Sequence, residues 1–340
     1  GVPVSGSDRL RTDVTARLEA LGAAITYEHR PENVEGASLI VRTAAVHDEN
    51  PEIVRAHELG IPVMERAEAW GHIMRDYDNV VCLSGTHGKT TSTSMMTMMT
   101  IEAQMDPTVM VGSNLPAIGG TLRIGGKGCF VAESCEYTNS FLRFAPTVSV
   151  ILNVEEDHLD FFKDINDIIH SFHEFAELTP MNGLVVVNHD DPNAMRAVAH
   201  IDRRIRTFGT TSDADVYPTE VRDENGYYRF TVNSDGKEYA KVALSVPGRH
   251  NMLNALACCA AAEFLGVPGE AAEKGLNKFT GSSRRFQLVG KMPNGATVVD
   301  DYAHHPSEMK ATLSTAKEMH FDRILCAFQP HTYTRTKALF

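Results

Sequence analysis

Long apolar runs are the first thing this 340-residue sequence lacks. None approaches the roughly 20 residues that a helix needs to cross a bilayer, so no membrane insertion is expected. Basic residues are also in short supply, since 32 Lys plus Arg stand against 44 Asp plus Glu and the net charge is −12. Proteins that bind nucleic acid usually carry the opposite excess, so no nucleic-acid partner is expected.

Cysteine is sparse as well, with six residues and no C-x-x-C spacing. This excludes the common zinc and dithiol redox patterns, and it favours a reduced, cytoplasmic setting. What is present is ordinary for a globular chain, with 43% hydrophobic and 22% charged residues. A chain of this length is expected to form two to three domains.

Strand and helix signals alternate along the chain, which predicts βα units on a parallel sheet. The first segment covers residues 1–78 and opens in mid-strand with no glycine-rich turn before it, so we expect it to be incomplete at its start. A stronger α/β pattern restarts at residue 79. Its predicted strands are 80–84, 129–133, 148–152, 184–188 and 204–208, and its predicted helices are 90–103, 251–265 and 270–278. Asn-Gly and Asp-Gly turns between residues 215 and 245 predict three added antiparallel strands.

A third segment is predicted from residue 282 to residue 340. Strands are expected at 286–291, 296–301 and 323–328, and a helix at 306–320. The segment is short for an independent α/β domain, so we expect it to be incomplete at its end. The predicted domains are therefore 1–78, 79–281 and 282–340.

A glycine-bounded loop lies between the predicted strand 80–84 and the helix that follows it. Glycines allow backbone amides to point into one concavity, and a helix N-terminus adds partial positive charge. In such a loop the lysine reaches the phosphates and the next hydroxyl ligates magnesium. The alternative is an ordinary strand–helix turn with an incidental lysine, although Lys89 is the first lysine of the chain. The predicted nucleotide-binding residues are Gly85, Thr86, His87, Gly88, Lys89, Thr90 and Thr91.

This loop resembles the ATP loop of the Mur ligases, which build the stem peptide of peptidoglycan. Further segments that resemble the family follow in order: 131–133 with 140–142, 153–160, 248–251 with 254–255, and 284–286. Residues 300–306, 328–331 and 333–336 are similar to those of the members that add L-alanine to UDP-N-acetylmuramate. The resemblance covers essentially the whole chain.

The resemblance implies an α/β protein of three domains, here truncated at both ends. These are a Rossmann-like domain that binds the UDP substrate, a central P-loop ATPase domain with a mostly parallel sheet, and a partial Rossmann-like domain that binds the amino acid. It also implies an ATP-dependent amide-bond ligase of peptidoglycan synthesis. Its substrates would be UDP-N-acetylmuramate and L-alanine, joined through an acyl phosphate, with Mg2+ or Mn2+ as the metal.

The same resemblance implies roles for individual residues. Lys89 would contact the γ-phosphate, Thr90 and Glu133 would hold a first metal, and His158 a second. On the ATP side, His250, Asn251 and Asn254 would face adenine and Arg285 the phosphates, although Asn251 at a helix start is also a common cap. Asp301, Tyr302, His304, His331 and Arg335 would form the amino-acid side, with Lys89, His158, Asp301 and His304 catalytic. The two adjacent histidines before Pro306 are also consistent with simple helix capping.

One absence bears on the choice within the family. No lysine occurs between Lys163 and Lys237, whereas several Mur ligases carry a carbamylated lysine after the metal histidine. This agrees with an L-alanine-adding member and argues against members that add D-glutamate or diaminopimelate. A murein-tripeptide recycling ligase remains an alternative, and so does a non-catalytic nucleotide-binding regulator. The presence of Lys89, Thr90, Glu133 and His158 together disfavours the regulator.

Overall fold

The computed structural model describes residues 2–330 and contains two compact units, one up to His72 and one from Ile73 onward. In the first unit, strands and helices alternate as predicted. The strands are β1 (Ser5–Ser7), β2 (Ala24–Thr26), β3 (Ile40–Arg42) and β4 (Val63–Glu65), and the helices are α1 (Asp13–Ala20), α2 (Pro51–Glu58) and α3 (Arg66–Met74). Thr12 caps α1 and Asn50 caps α2 through their side chains.

The strands of the first unit do not form the single sheet that the alternation predicts. Within the described residues, β1 pairs in parallel with β2, and β3 pairs in parallel with β4, as two separate two-stranded sheets. Each strand is three residues long, so each pair makes few ladder hydrogen bonds.

The second unit is built on a ten-stranded sheet within residues 73–330. Its strands are β5 (Val80–Ser84), β6 (Thr108–Leu115), β7 (Gly120–Arg123), β8 (Phe130–Glu133), β9 (Val148–Ile151), β10 (Leu184–Asn188), β11 (Ile205–Phe208), β12 (Val216–Glu224), β13 (Tyr227–Ser234) and β14 (Lys237–Ala243). They lie in the order β14-β13-β12-β11-β10-β9-β5-β8-β6-β7, parallel from β12 to β6 and antiparallel at the two ends. The predicted parallel strands and antiparallel addition are confirmed, whereas β6 and β7 were not predicted.

Two tight turns create the antiparallel end of this sheet. Asn225 and Gly226 have φ of 56° and 83°, and Asp235 and Gly236 have φ of 49° and 76°. A type I′ hairpin turn requires left-handed backbone at both central residues, which Asn-Gly and Asp-Gly tolerate best. The turn chemistry therefore explains why the prediction succeeded here.

Helices cover the sheet of the second unit. They are α4 (Lys89–Glu102), α5 (Ile165–Glu177), α6 (Pro192–Ala197), α7 (Arg249–Phe264) and α8 (Gly269–Lys278). Every residue of β5 and β10 is buried, as expected for parallel strands with both faces covered. Helix α7 packs on strands β9 to β13, and α4 packs between it and α8 in the main core. Helices α5 and α6 were not predicted.

The last segment contains β15 (Gln287–Lys291), which is antiparallel to β16 (Thr297–Asp300), and α9 (Pro306–Glu318). The strand predicted at 323–328 is wrong, because those residues have no regular secondary structure. A strand forms only where a neighbour completes its ladder, and within residues 2–330 β15 and β16 pair only with each other. No helix in the described residues is long and apolar enough to cross a membrane.

Candidate active site

The predicted phosphate loop lies at the carboxyl end of β5, in the middle of the large sheet. Gly88 has φ of 85° and precedes α4 without a side-chain cap, so the first N–H groups of α4 have no capping acceptor. The Asn153 side chain fixes the loop from the end of β9, accepting from His87 N (2.8 Å) and donating to His87 O (3.0 Å). The combination is a preformed cradle for an anion.

Lys89 is folded into this loop with a counter-charge beside it. Its Nζ donates to the carbonyl oxygens of Gly85 (2.6 Å) and Thr86 (3.1 Å) and to Glu136 Oε2 at 2.9 Å. Burial alone would lower the pKa of Lys89, but the Glu136 carboxylate holds that pKa above its ordinary value. The loop lysine is therefore charged at neutral pH, as phosphate binding requires.

Thr90 and Glu133 meet next to the lysine. Thr90 Oγ1 donates to Glu133 Oε1 (3.0 Å), and Gly112 N donates to Glu133 Oε2 (2.6 Å). A Cβ on Gly112 would lie 2.6 Å from Glu133 Oε1, so the glycine leaves the space that this carboxylate occupies. A hydroxyl and a carboxylate at the edge of a phosphate loop are the hard oxygen donors that Mg2+ prefers, so these residues fit the predicted metal.

His158 lies on the same side of the loop. Its Nε2 is 3.8 Å from Glu136 Oε1 and 3.8 Å from Asp157 Oδ2, and its ring stacks on Tyr137 with centroids 4.4 Å apart. Glu136 thus lies between the loop lysine and the predicted second-metal histidine. An imidazole next to carboxylates suits Mn2+ as well as Mg2+.

A cavity of about 550 Å³ opens beside the loop. Polar side chains reach it from α7 and from the last segment, and Phe208, Val246 and Phe279 supply apolar wall. Apolar wall combined with polar groups that converge on one cavity is typical of a small-molecule site. The predicted residues that line it are His87, Gly88, Thr90, Thr91, His250, Asn251, Asn254, Arg285 and Asp301.

A charged cluster closes one end of this cavity. His87 Nδ1 donates to Glu308 Oε1 (3.2 Å), and His87 Nε2 lies 3.5 Å from Glu155 Oε2. Burial opposes charge on His87, but Glu155 and Glu308 prevail and raise its pKa to about 9. The hydrogen bond from His87 in turn lowers the pKa of Glu155 to about 2.

Potential ligand atoms of His87, Glu155 and His305 lie within 4.8 Å of one another, close enough for one cation. Both nitrogens of His305 are already used, however. Its Nδ1 accepts from Ser307 N (3.2 Å) and its Nε2 donates to the carbonyl oxygen of Glu156 (2.9 Å). The geometry therefore favours an ionic and hydrogen-bonded cluster over a metal site.

Comparison with known proteins agrees with this geometry. Three family models match the chain: the Mur ligase family catalytic domain at residues 1–78, the Mur ligase middle domain at 83–262, and the Mur ligase glutamate ligase domain at 284–340. The chain belongs to the Mur ligase family.

Individual relatives point to one branch of the Mur ligases. The UDP-N-acetylmuramate–L-alanine ligase of Clostridium novyi is 46% identical over 340 residues, which are 100% of this chain and 74% of that protein. Among solved structures, the UDP-N-acetylmuramate-alanine ligase of Thermotoga maritima is 31% identical with a TM-score of 0.78, over 93% of this chain and 72% of that one. A murein peptide ligase from Psychrobacter arcticus is 25% identical with a TM-score of 0.77, over 94% and 72%.

The structure brings most of the predicted Mur ligase site residues to the phosphate loop, in two groups. One group lines the cavity, and the other comprises Lys89, Glu133 and His158, with Thr90 belonging to both. Asn251 and Asn254 are buried, and Asn254 Nδ2 donates to Asn251 Oδ1 (3.2 Å). Asn251 is the third residue of α7, whose N-cap is Gly248, and its Nδ2 donates to the carbonyl oxygen of Pro247 (2.7 Å). Its side chain therefore supports the helix start through this bond and not by capping a backbone N–H.

On the predicted amino-acid side, Tyr302 and His304 lie next to the cavity and are not among its lining residues. The guanidinium of Arg285 is 5.7 Å from the centre of the Tyr302 ring, and His304 Nδ1 donates to Tyr302 O (2.9 Å). The capping alternative holds for the neighbouring His305, which is the N-cap of α9. His331 and Arg335 lie outside the described residues.

The sequence analysis missed three carboxylates: Glu136, Glu155 and Glu308. Glu136 lies three residues after Glu133, in the segment that follows β8. Glu155 lies within the segment 153–160, where only His158 was assigned. Glu308 is the third residue of α9 and its side chain accepts from the backbone N–H of the N-cap residue His305 (3.4 Å), the pattern of a capping box, which was a readable signal.

Proposed function

We propose that this protein joins L-alanine to the lactyl carboxylate of UDP-N-acetylmuramate at the expense of ATP, as a step of peptidoglycan precursor synthesis. The observation that carries the ATP chemistry is the phosphate loop with Lys89 beside the Thr90–Glu133 pair. The choice of substrates rests on the named relatives, which match this chain over its whole length.

A carboxylate does not condense with an amine in neutral water, because its leaving group would be oxide or hydroxide. Phosphorylation of the lactyl carboxylate by ATP supplies a better leaving group, and the amine of L-alanine then displaces phosphate. Such transfer depends on positioned cations more than on covalent catalysts. In this mechanism Lys89 neutralises charge on the γ-phosphate, and the N-terminus of α4 holds the phosphates.

Thr90 and Glu133 are the residues we assign to a first divalent cation, and His158 to a second. A bound Mg2+ or Mn2+ would neutralise phosphate charge during transfer. Asn251, Asn254 and His250 are assigned to the adenine ring and Arg285 to the phosphates. Asp301, Tyr302 and His304 are assigned to the side on which the amine approaches. The proposed domains are 1–78, 79–281 and 282–340, and the proposed location is the cytoplasm.

The test is release of phosphate from ATP with UDP-N-acetylmuramate and individual amino acids, with the Lys89→Met variant as the control. We expect release that requires both the nucleotide sugar and L-alanine, and that is lost in the variant. Release independent of the nucleotide sugar, or equal release with the variant, would contradict the proposal.

A second candidate is ligation of an intact murein tripeptide to the same nucleotide sugar. The structural similarity to a murein peptide ligase is the observation that favours it. The same assay discriminates between the two, because the tripeptide would then support faster release than L-alanine.

A further inference from the structure

The His87 side chain connects the phosphate loop to the last segment of the chain. Its backbone is fixed by Asn153, so the ring is held in place and directed toward the first turn of α9. There it contacts Glu308, a residue 221 positions later in the sequence. The ATP-binding loop and the last segment are thus joined through this imidazole.

Glu308 also contacts residues other than His87. One carboxylate oxygen accepts from His87 and lies 3.9 Å from Arg285 Nη1, and the other accepts from His304 N (3.1 Å). Arg285 and Asp301 line the cavity, and His304 lies next to it. A movement of the loop at His87 would therefore reach residues assigned to both ATP and the amino acid.

Neighbouring contacts strengthen this junction. Ser307 Oγ donates to Glu155 Oε2, and His305 Nε2 donates to the carbonyl oxygen of Glu156, so the first turn of α9 is also fixed to the segment after β9. His305 is buried, and its ring centroid lies 4.6 Å from that of His87. The phosphate loop, the segment after β9 and the first turn of α9 therefore meet around the rings of His87 and His305.

We propose that His87 and Glu308 form a positioning pair that couples the phosphate loop to the first turn of α9, so that nucleotide binding at the loop positions Arg285 and His304 at the cavity. This inference rests on the proposed function of the loop in ATP binding. Neither residue reacts with substrate in this role, and both act by fixing residues that do.

The stabilisation that the His87–Glu308 pair provides depends on pH, and the groups around His87 set the direction of this dependence. The charged or titratable groups that face His87 are Glu155 from the segment after β9, Glu308 from α9 and His305 at the N-cap of α9, with Arg285 and His304 behind Glu308. The pKa of His87 is raised from 6.5 to about 9. The stabilisation from this charge is therefore complete below pH 6.5 and is lost as the pH rises through about 9.

The chain offers well-matched variants for a test. Glu308→Gln keeps a side-chain oxygen that accepts from His305 N, so α9 keeps its capping box while the ion pair with His87 is lost. His87→Gln removes the imidazolium charge of the same pair. The double variant His87→Gln with Glu308→Gln tests whether the two side chains act together. His170→Gln is the control, since His170 Nε2 also lies 3.8 Å from a glutamate, Glu174, but on the exposed face of α5.

Two measurements on the full chain test the pair. In phosphate release, we expect each single variant to raise the KM for ATP roughly 10-fold, and the double variant to be no worse than either single. In the unaltered protein we expect the KM for ATP to rise above pH 8, as His87 loses its charge. In Glu308→Gln this rise should occur at lower pH. In hydrogen exchange with the ATP analogue AMP-PNP, amides of the first turn of α9, such as Met309, should gain protection in the unaltered protein and in His170→Gln, but not in Glu308→Gln.

The outcomes separate this inference from the proposed function. Absence of ATP-dependent phosphate release in the unaltered protein would contradict the proposed function itself. If the unaltered protein releases phosphate but both single variants keep its KM and pH profile, the positioning pair is wrong. Full additivity in the double variant, or nucleotide-dependent protection of α9 that persists in Glu308→Gln, would overturn it as well.

Discussion

At the scale of single residues, Glu136 balances the buried charge of Lys89 in the phosphate loop. A buried ammonium is unfavourable unless it is paired and hydrogen-bonded. Lys89 is therefore held by Glu136 and two carbonyl oxygens, and Glu136, which is 2% exposed, in turn depends on Lys89. A phosphate that binds to Lys89 must compete with this carboxylate for the same ammonium.

The first prediction concerns this pair. Lys89→Met should reduce phosphate release on the order of 100- to 1,000-fold, because one preorganised cation at the transferring group is lost. It should also lower the free energy of unfolding by roughly 3–5 kcal/mol, because Glu136 is left buried without its partner. Phosphate-release assays and urea unfolding measure the two effects.

The double variant Lys89→Met with Glu136→Gln separates these two effects. Removing both charges should restore most of the lost stability but none of the activity. Recovery of phosphate release in the double variant would show that Lys89 acts only through folding, against the phosphate-loop assignment.

The second prediction concerns the space beside Glu133. Gly112→Ala places a Cβ 2.6 Å from Glu133 Oε1, so the carboxylate must leave the position in which it accepts from Thr90. We expect a higher Mg2+ concentration for half-maximal phosphate release, as with Glu133→Gln. Gly128→Ala is the control, because a Cβ there meets nothing within 4 Å. Unchanged metal dependence in Gly112→Ala and Glu133→Gln would remove Glu133 from the metal site.

At the scale of elements, the sequence predicted those whose local signals are unambiguous. Strands 80–84 and 184–188 are short apolar runs, and both are fully buried in the structure. Strand β6 was missed because Gly112, Ser113 and Asn114 interrupt its apolar pattern, although its backbone pairs with β7 and β8. The strand at 323–328 shows the opposite error, since apolar residues alone do not provide a pairing neighbour.

The third prediction concerns the contact between α8 and α4, the helix that begins at the phosphate loop. A Cβ on Gly275 would lie 2.6 Å from Met99 Cα and 2.7 Å from Met99 N, which are backbone atoms of α4. Gly275→Ala should therefore destabilise the protein by about 1–3 kcal/mol, despite the better helix propensity of alanine. Thermal or urea unfolding measures this.

The exposed neighbour Lys274 on the same helix provides the matched control. Lys274→Ala should change the unfolding free energy by no more than about 0.5 kcal/mol. Gly275→Ala that is as stable as the unaltered protein would mean that α8 and α4 pack less closely than this geometry indicates.

At the scale of the whole molecule, some site residues can be predicted from the sequence, and others come together only in the folded chain. The phosphate loop was predictable because its residues are contiguous and each has a chemical role by position. The partners of Lys89 and His87 were not, since Glu136 and Glu308 lie 47 and 221 residues away. Nothing in their local sequence indicates that they meet the loop, and only the folded chain brings them to it.

The last prediction concerns how ATP stabilises the two units. The residues assigned to ATP lie between Gly85 and Arg285, all within the second unit and none in the unit up to His72. A ligand that binds only the native state adds about 2.7 kcal/mol of stability at 100 times its Kd. This gain should appear in the unit that holds the site, so AMP-PNP should slow hydrogen exchange of β5, β9 and β10 amides and leave residues 2–72 unchanged. Lys89→Met is the control, because weaker phosphate binding should reduce the protection. Equal protection of residues 2–72, or undiminished protection in Lys89→Met, would show that the nucleotide binds somewhere other than this loop.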